Sequence, residues 1–450
     1  MKKLLTLASL MVVGCVMLSA SATAESGSTG ATTRVSVSST GLQGNYDSYP
    51  AGISAGGRYV VFGSWATDLV PGDTNARRDV FVRDRKTGRT TRVSISSSGR
   101  EATCSNGFGC SDAAGISADG RYVAFVSEAA NLVPGDTNGA SDVFVHDRKT
   151  GRTTRVSVST RGRQANGSSG FAAISADGRY VAFGSSASNL VARDTNGAAD
   201  IFSHDRKTGR TTRVSVGRHG RQALCDVNFC ESTGPALSAH GRYVAFTSLA
   251  SNLVRGDSNH LPDVFVRDLA TGQTQRVSVS SSGSQAKGRR HSNGSNAPSI
   301  SADGRYVAFH SDASNLVRGD TNRTEDIFLH DRKTGTTTRV SVGRRGGQAN
   351  GESLGPPSIS PDGRYVAFAS LASNLVAGDT NDITDVFLHD CRTGRTILVS
   401  RSSDGDLGND GSAPGAISAN DRYLAFTSWA SNLVPGDTNR APDAFVRELR

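Results

Sequence analysis

The sequence predicts an all-β fold: a single seven-bladed β-propeller of four-stranded antiparallel blades, with the ring closed by the N-terminal strand joining the last blade. Three observations predict it. An Arg-Tyr pair followed by two apolar residues recurs at Tyr59, Tyr122, Tyr180, Tyr243, Tyr306, Tyr365 and Tyr423. The steps between these tyrosines are 63, 58, 63, 63, 59 and 58 residues, long enough for four short strands and their turns, which is what one blade requires. The third observation lies at the ends. An isolated fourth strand, Thr32 to Val37, opens the repeat region, and the last copy stops at Phe445-Val446-Arg447 without one. Together the two fragments make one blade, so residues 32–38 are expected to complete the seventh.

The second unit shows how each element follows from its residues. Ala114 to Ser117 gives an innermost strand of small residues, as the taper near a central axis demands. Ala118-Asp119-Gly120 makes a tight turn, and Arg121 to Ser127 makes a second strand that is apolar on both faces because neighbouring blades press on both. A long segment through Asp136-Thr137-Asn138 leads to a third strand, Asp142 to Asp147. Arg148 to Gly151 turns the chain into the fourth strand, Thr153 to Val158. Polar and apolar residues alternate there, the pattern of an outer strand wet on one face, with Arg155 discouraging edge pairing.

Before the repeats, Lys2 and Lys3, an apolar run from Leu4 to Leu18 and Ala22-Thr23-Ala24 read as an export signal over residues 1–24, followed by a linker over 25–31 and the propeller over 32–450. The expected location is secreted or periplasmic; lipoprotein processing at Cys15 is the alternative. The run is shorter than the roughly 20 residues of a spanning helix, and no later segment qualifies. Losing Lys2 and Lys3 takes the net charge from +9 to +7, since 50 basic residues become 48 against 41 acidic ones. The basic side chains are dispersed, which excludes a nucleic-acid-binding tract and leaves a protein or an extracellular polysaccharide as the expected partner of a monomer. In an exported chain, the close pairs Cys104 with Cys110 and Cys225 with Cys230 read as local disulfides, whereas Cys391 reads as a surface position that has drifted from a basic residue.

Ser117-Ala118-Asp119-Gly120-Arg121-Tyr122 and the later turn Asp147-Arg148-Lys149-Thr150-Gly151 resemble the TolB-type propeller repeat. The resemblance spans nearly all of the repeat region. It implies the fold rather than an activity, because such repeats serve scaffolds, peptidase caps and polysaccharide lyases alike. The expectation is a TolB-like propeller without TolB's additional N-terminal α/β domain, and with seven blades where TolB has six.

Strand direction places the two long connections of every blade on one face, the candidate binding surface. Gln43, Gln164, Gln222, Gln285 and Gln348, with Asn45, Asn166 and Asn350, are expected there as amides suited to sugar hydroxyls or peptide groups, or as partners of loop backbone. An Asp-x-Asn with a second Asp four residues after the Asn recurs in every unit. The sets are Asp73, Asn75, Asp79; Asp136, Asn138, Asp142; Asp194, Asn196, Asp200; Asp257, Asn259, Asp263; Asp320, Asn322, Asp326; Asp379, Asn381, Asp385; and Asp437, Asn439, Asp443. Hard oxygen ligands at this spacing suit calcium, while the same residues also nucleate turns and cap backbone amides. No cofactor is required by the sequence. His146, His204, His330 and His389 share one strand position with Arg83 and Arg267 and read as packing groups. His291 with Arg289 and Arg290 breaks the repeat and is the candidate catalytic set. The resulting expectation is an exported, non-catalytic binding or scaffold propeller, with a polysaccharide lyase or glycoside hydrolase, or a calcium-stabilised structural module, as alternatives.

Overall fold

The computed structural model describes residues 30–104, 110–224, 231–288 and 294–449. The export signal, Cys15, Cys225, Cys230, Arg289, Arg290 and His291 lie outside the described residues. Seven four-stranded antiparallel sheets follow one another in chain order. In the second blade the strands are Ser111–Ile116, Tyr122–Ser127, Asp142–Asp147 and Arg152–Arg155. The outer strand is shorter than expected. After Arg155 only Val156 still donates to the Val143 carbonyl, and the chain then folds back as a small hairpin pinned by a bridge between Val158 and Gln164.

The N-terminal strand Thr32–Arg34 pairs with Asp443–Glu448, setting Thr33 opposite Val446, and the seventh sheet is complete. Hydrogen bonds from Glu448 N–H to the Ala31 carbonyl and from Val35 N–H to the Ala444 carbonyl extend this closure beyond the strand. No helix among the described residues is long and apolar enough to cross a membrane.

Each core lies between blades. The second and third strands bury apolar side chains on both faces, as Val123, Ala124, Phe125, Val143, Phe144 and Val145 do in the second blade. Within every blade the two strands stack a pair of phenylalanines, such as Phe125 on Phe144 at 5.6 Å. Tyrosine joins blade to blade. Tyr59 packs against Gly120 of the next blade, whose φ of +74° needs glycine, and Arg148 of that blade covers the ring at 4.3 Å. Arg121 meanwhile clamps Asp147 through two bonds of 2.8 and 2.7 Å, fixing one turn to the next and holding the carboxyl well below the usual carboxylate range.

A belt of backbone hydrogen bonds runs round the short-turn face. Ala55 donates to Ala118, Ala118 to Ala176, Ala176 to Ala239, Ala239 to Ala302 and Ala302 to Pro361. Asn420 donates to Ala55 and closes the circuit, but Pro361 has no N–H to pass the chain of bonds to the seventh blade.

Cys391 is only partly exposed. It stands where Arg148 stands in the second blade, half-buried against Tyr306, and burial followed by the neighbouring Asp390 charge pushes its thiol up to about 12. Because a thiol is much shorter than an arginine, a groove of about 550 Å³ opens here on the short-turn face, lined in part by Tyr306, Asp331, Arg364 and Cys391.

Candidate functional site

Beneath the long-loop face each blade carries one polar knot. In the second blade Ser157 Oγ donates to Asp142, Asn138 Nδ2 donates to the same carboxylate at 3.0 Å, and Ser157 Oγ accepts the Val143 N–H. Arg155 does not stand in solvent at a sheet edge. Its guanidinium lies 3.0 Å from Asp136 and 3.2 Å from Asp142, with its side chain 10% exposed, because two buried carboxylates draw it inward. Burial and the neighbouring carboxylates push Asp73, Asp257 and Asp379 up to about 6. In the first blade Glu101 replaces the glutamine, bringing Asp73, Asp79 and Glu101 together around Arg92.

The amides occupy the upper edge of the same knots. Gln43 Nε2 donates to Asp437 and Asp443 at 2.8 Å each. Gln164, Gln222 and Gln285 exchange bonds with Thr137, Thr195 and Ser258, and Gln348 donates to Asp320. Asn45, Asn166 and Asn350 reach the loop of the following blade, bonding Thr67, Ser188 and Ser373. These groups stitch loops together; the glutamines are half-buried, while Asn45, Asn166 and Asn350 remain exposed. The shared histidines are likewise engaged: the Nδ1 atoms of His146, His204, His330 and His389 lie 2.9 Å from threonine hydroxyls, and burial lowers the first three to about 4.

What breaks the repeat is aromatic. The residue directly after the second strand is Trp65, Glu128, Ser186, Leu249, Asp312, Leu371 and Trp429 in successive blades, so the only two tryptophans of the chain take equivalent places in neighbouring blades. Tyr49 of the first innermost strand lies between them, 6.1 Å from Trp65 and 6.3 Å from Trp429, edge-on to both. Arg78 stacks 4.5 Å from the Trp65 ring and pairs with Asp112. Trp429 and Leu371 are each 44% exposed, which makes an apolar arc across three consecutive blades at the start of the innermost strands. In the fifth blade His310 faces Glu325 at 3.4 Å. Sequence reasoning missed this cluster, although two tryptophans in one repeat register were the available signal.

No protein-family model matches the chain, and no curated protein matches it. An oligogalacturonate lyase in complex with manganese is 13% identical with a TM-score of 0.53, covering 93% of both chains. The oligogalacturonate lyase from Vibrio parahaemolyticus is 13% identical with a TM-score of 0.50, covering 90% of both. TolB from Acinetobacter baumannii is 15% identical with a TM-score of 0.39, covering 80% of this chain and 65% of that one. The chain is a seven-bladed β-propeller. At these identities the shared property is the fold alone, and the function of this propeller has to be read from its own departures from symmetry.

Proposed function

We propose that this propeller is an exported, non-catalytic binding module that holds an extracellular glycan on its long-loop face. The observation that carries the reading is the aromatic arc formed by exposed Trp429 with half-buried Tyr49 and Trp65, backed by Arg78. Sugar rings present C–H faces and hydroxyl edges together, and rigid aromatic planes beside a fixed donor match both. Ordered aromatic side chains also lose little conformational entropy on binding. The network that ties down the repeated Gln and Asn side chains favours this arc over the amides as the contact surface.

A glycan array probed with the folded protein tests the reading. Trp429→Ala is expected to weaken retained binding by about tenfold or more while the melting temperature holds, since a well-packed aromatic anchor is worth about 2 kcal/mol or more. Capture of no glycan overturns it. Unsaturated uronates or new reducing ends accumulating with time would instead favour the lyase or hydrolase reading, for which the shared fold is the only support.

A further inference from the structure

Six of the seven blades supply their own cation to the buried aspartate pair. Arg34, Arg92, Arg155, Arg213, Arg276 and Arg339 each lie 2.9–3.7 Å from both aspartates of their blade, with side chains only 8–10% exposed. In five of these blades the same guanidinium also donates to a loop carbonyl, that of Gly72, Gly135, Arg193, Gly256 or Pro435. The acceptors of the motif are arranged around a positive charge.

In the sixth blade that position is Leu398, and the position of the supporting glutamine is Leu407; both belong to one apolar cluster. The carboxylates remain. Asp379 is 8% exposed and Asp385 is fully buried. Asp385 accepts from Ser400 Oγ and from Asn381 Nδ2. Asp379 takes the backbone N–H of Asn381 and makes no ion pair among the described residues. Asn381 Oδ1 is buried with no hydrogen-bond partner, whereas in the other blades the equivalent oxygen accepts the N–H two residues on, as Asn138 does from Ala140. Arg401 replaces the valine or isoleucine of other blades and adds positive potential nearby without pairing with either carboxylate.

We propose that the sixth blade binds one divalent cation of the calcium class, held by the carboxylates of Asp379 and Asp385 and the side-chain oxygen of Asn381, in the place a guanidinium takes elsewhere. Two carboxylates balance its charge, and the donor set is oxygen throughout. Leucine on two sides lowers the local dielectric and strengthens the attraction. Asp382, exposed on the same loop, adds further negative charge. This inference stands whatever the long-loop face binds.

Calorimetric titration of the chelator-treated full chain with calcium chloride at pH 7.5, paired with thermal melts, tests it. The expected result is one site per chain and a melting temperature that rises with calcium. Leu398→Arg restores the residue of the other six blades and is expected to abolish both effects while still melting cooperatively. Arg401→Val is expected to tighten binding. If Leu398→Arg does not fold, the isosteric Asp379→Asn is expected to weaken binding by about tenfold or more. No calcium-dependent heat or shift in the wild type, undiminished binding in Leu398→Arg or Asp379→Asn, or magnesium binding as tightly as calcium would each overturn the assignment.

Discussion

Gly120 of the second blade lies so close to Tyr59 of the first that a β-carbon there would stand 2.1 Å from Tyr59 Cδ2. The same contact recurs between Gly178 and Tyr122 and between Gly304 and Tyr243, so glycine sets the spacing of the ring. Gly120→Ala adds both a clash and a side chain at φ +74°. It is expected to cost about 2–4 kcal/mol in urea unfolding, strain and overpacking together.

Ring closure depends on three N-terminal residues and the bond that follows them. Val35→Pro removes the donor to Ala444 and is expected to destabilise the protein by about 3 kcal/mol or more. Val156→Pro deletes the matching bond to Val143 inside an already continuous blade. Differential scanning calorimetry should show the larger fall in melting temperature for Val35→Pro, because of the two bonds it is the one that joins the chain ends.

Removing a cation from a buried acid pair is costly. Arg155→Leu leaves Asp142 fully buried and Asp136 nearly so without their shared partner. A loss of about 3–5 kcal/mol is expected by chemical denaturation at pH 7.5.

Acid stability reports on the buried histidines. His330 lies 2.9 Å from the Thr337 hydroxyl, and burial lowers it to about 4, below its unfolded value of about 6.5. A folded value below the unfolded one means that the stabilising effect is complete above about pH 6.5 and is lost as the pH falls through about 4. Asp73, Asp257 and Asp379, pushed up to about 6, act in the opposite sense: their burial costs stability as the pH rises from their unfolded value towards 6 and beyond. Comparison with His330→Arg, the residue found at the same position as Arg83, isolates the histidine. Between pH 7 and pH 4.5 the variant is expected to lose less stability than wild type, by on the order of 1–2 kcal/mol, read from urea midpoints.

Blade number, strand order and circular closure were legible because they depend on the spacing of short-range signals: a tyrosine every 58–63 residues, and a stray outer strand before the first copy matched by its absence from the last. The candidate site was much less so. Arg155 looked like an edge residue because alternation records which side of a strand is polar and is blind to an acid pair across the blade. Trp65 and Trp429 stand near opposite ends of the chain, and only the closed ring brings both against Tyr49. Leu398 carried a signal that was available, one hydrophobic residue in a column of arginines, but its meaning required the arginines' partners to be known.

Pro361 gives the boundary between the sixth and seventh blades a different temperament from its neighbours. There the backbone belt is interrupted, Asp421 takes the turn position filled by glycine elsewhere, and Leu449 rather than an arginine covers Tyr365. Leu424, where the other blades carry valine, and Leu449 add to the apolar cluster between the two blades. Attraction between such surfaces fades in the cold while hydrogen bonds hold. Chilling should therefore loosen this joint first and turn a closed annulus into a ring with a latch.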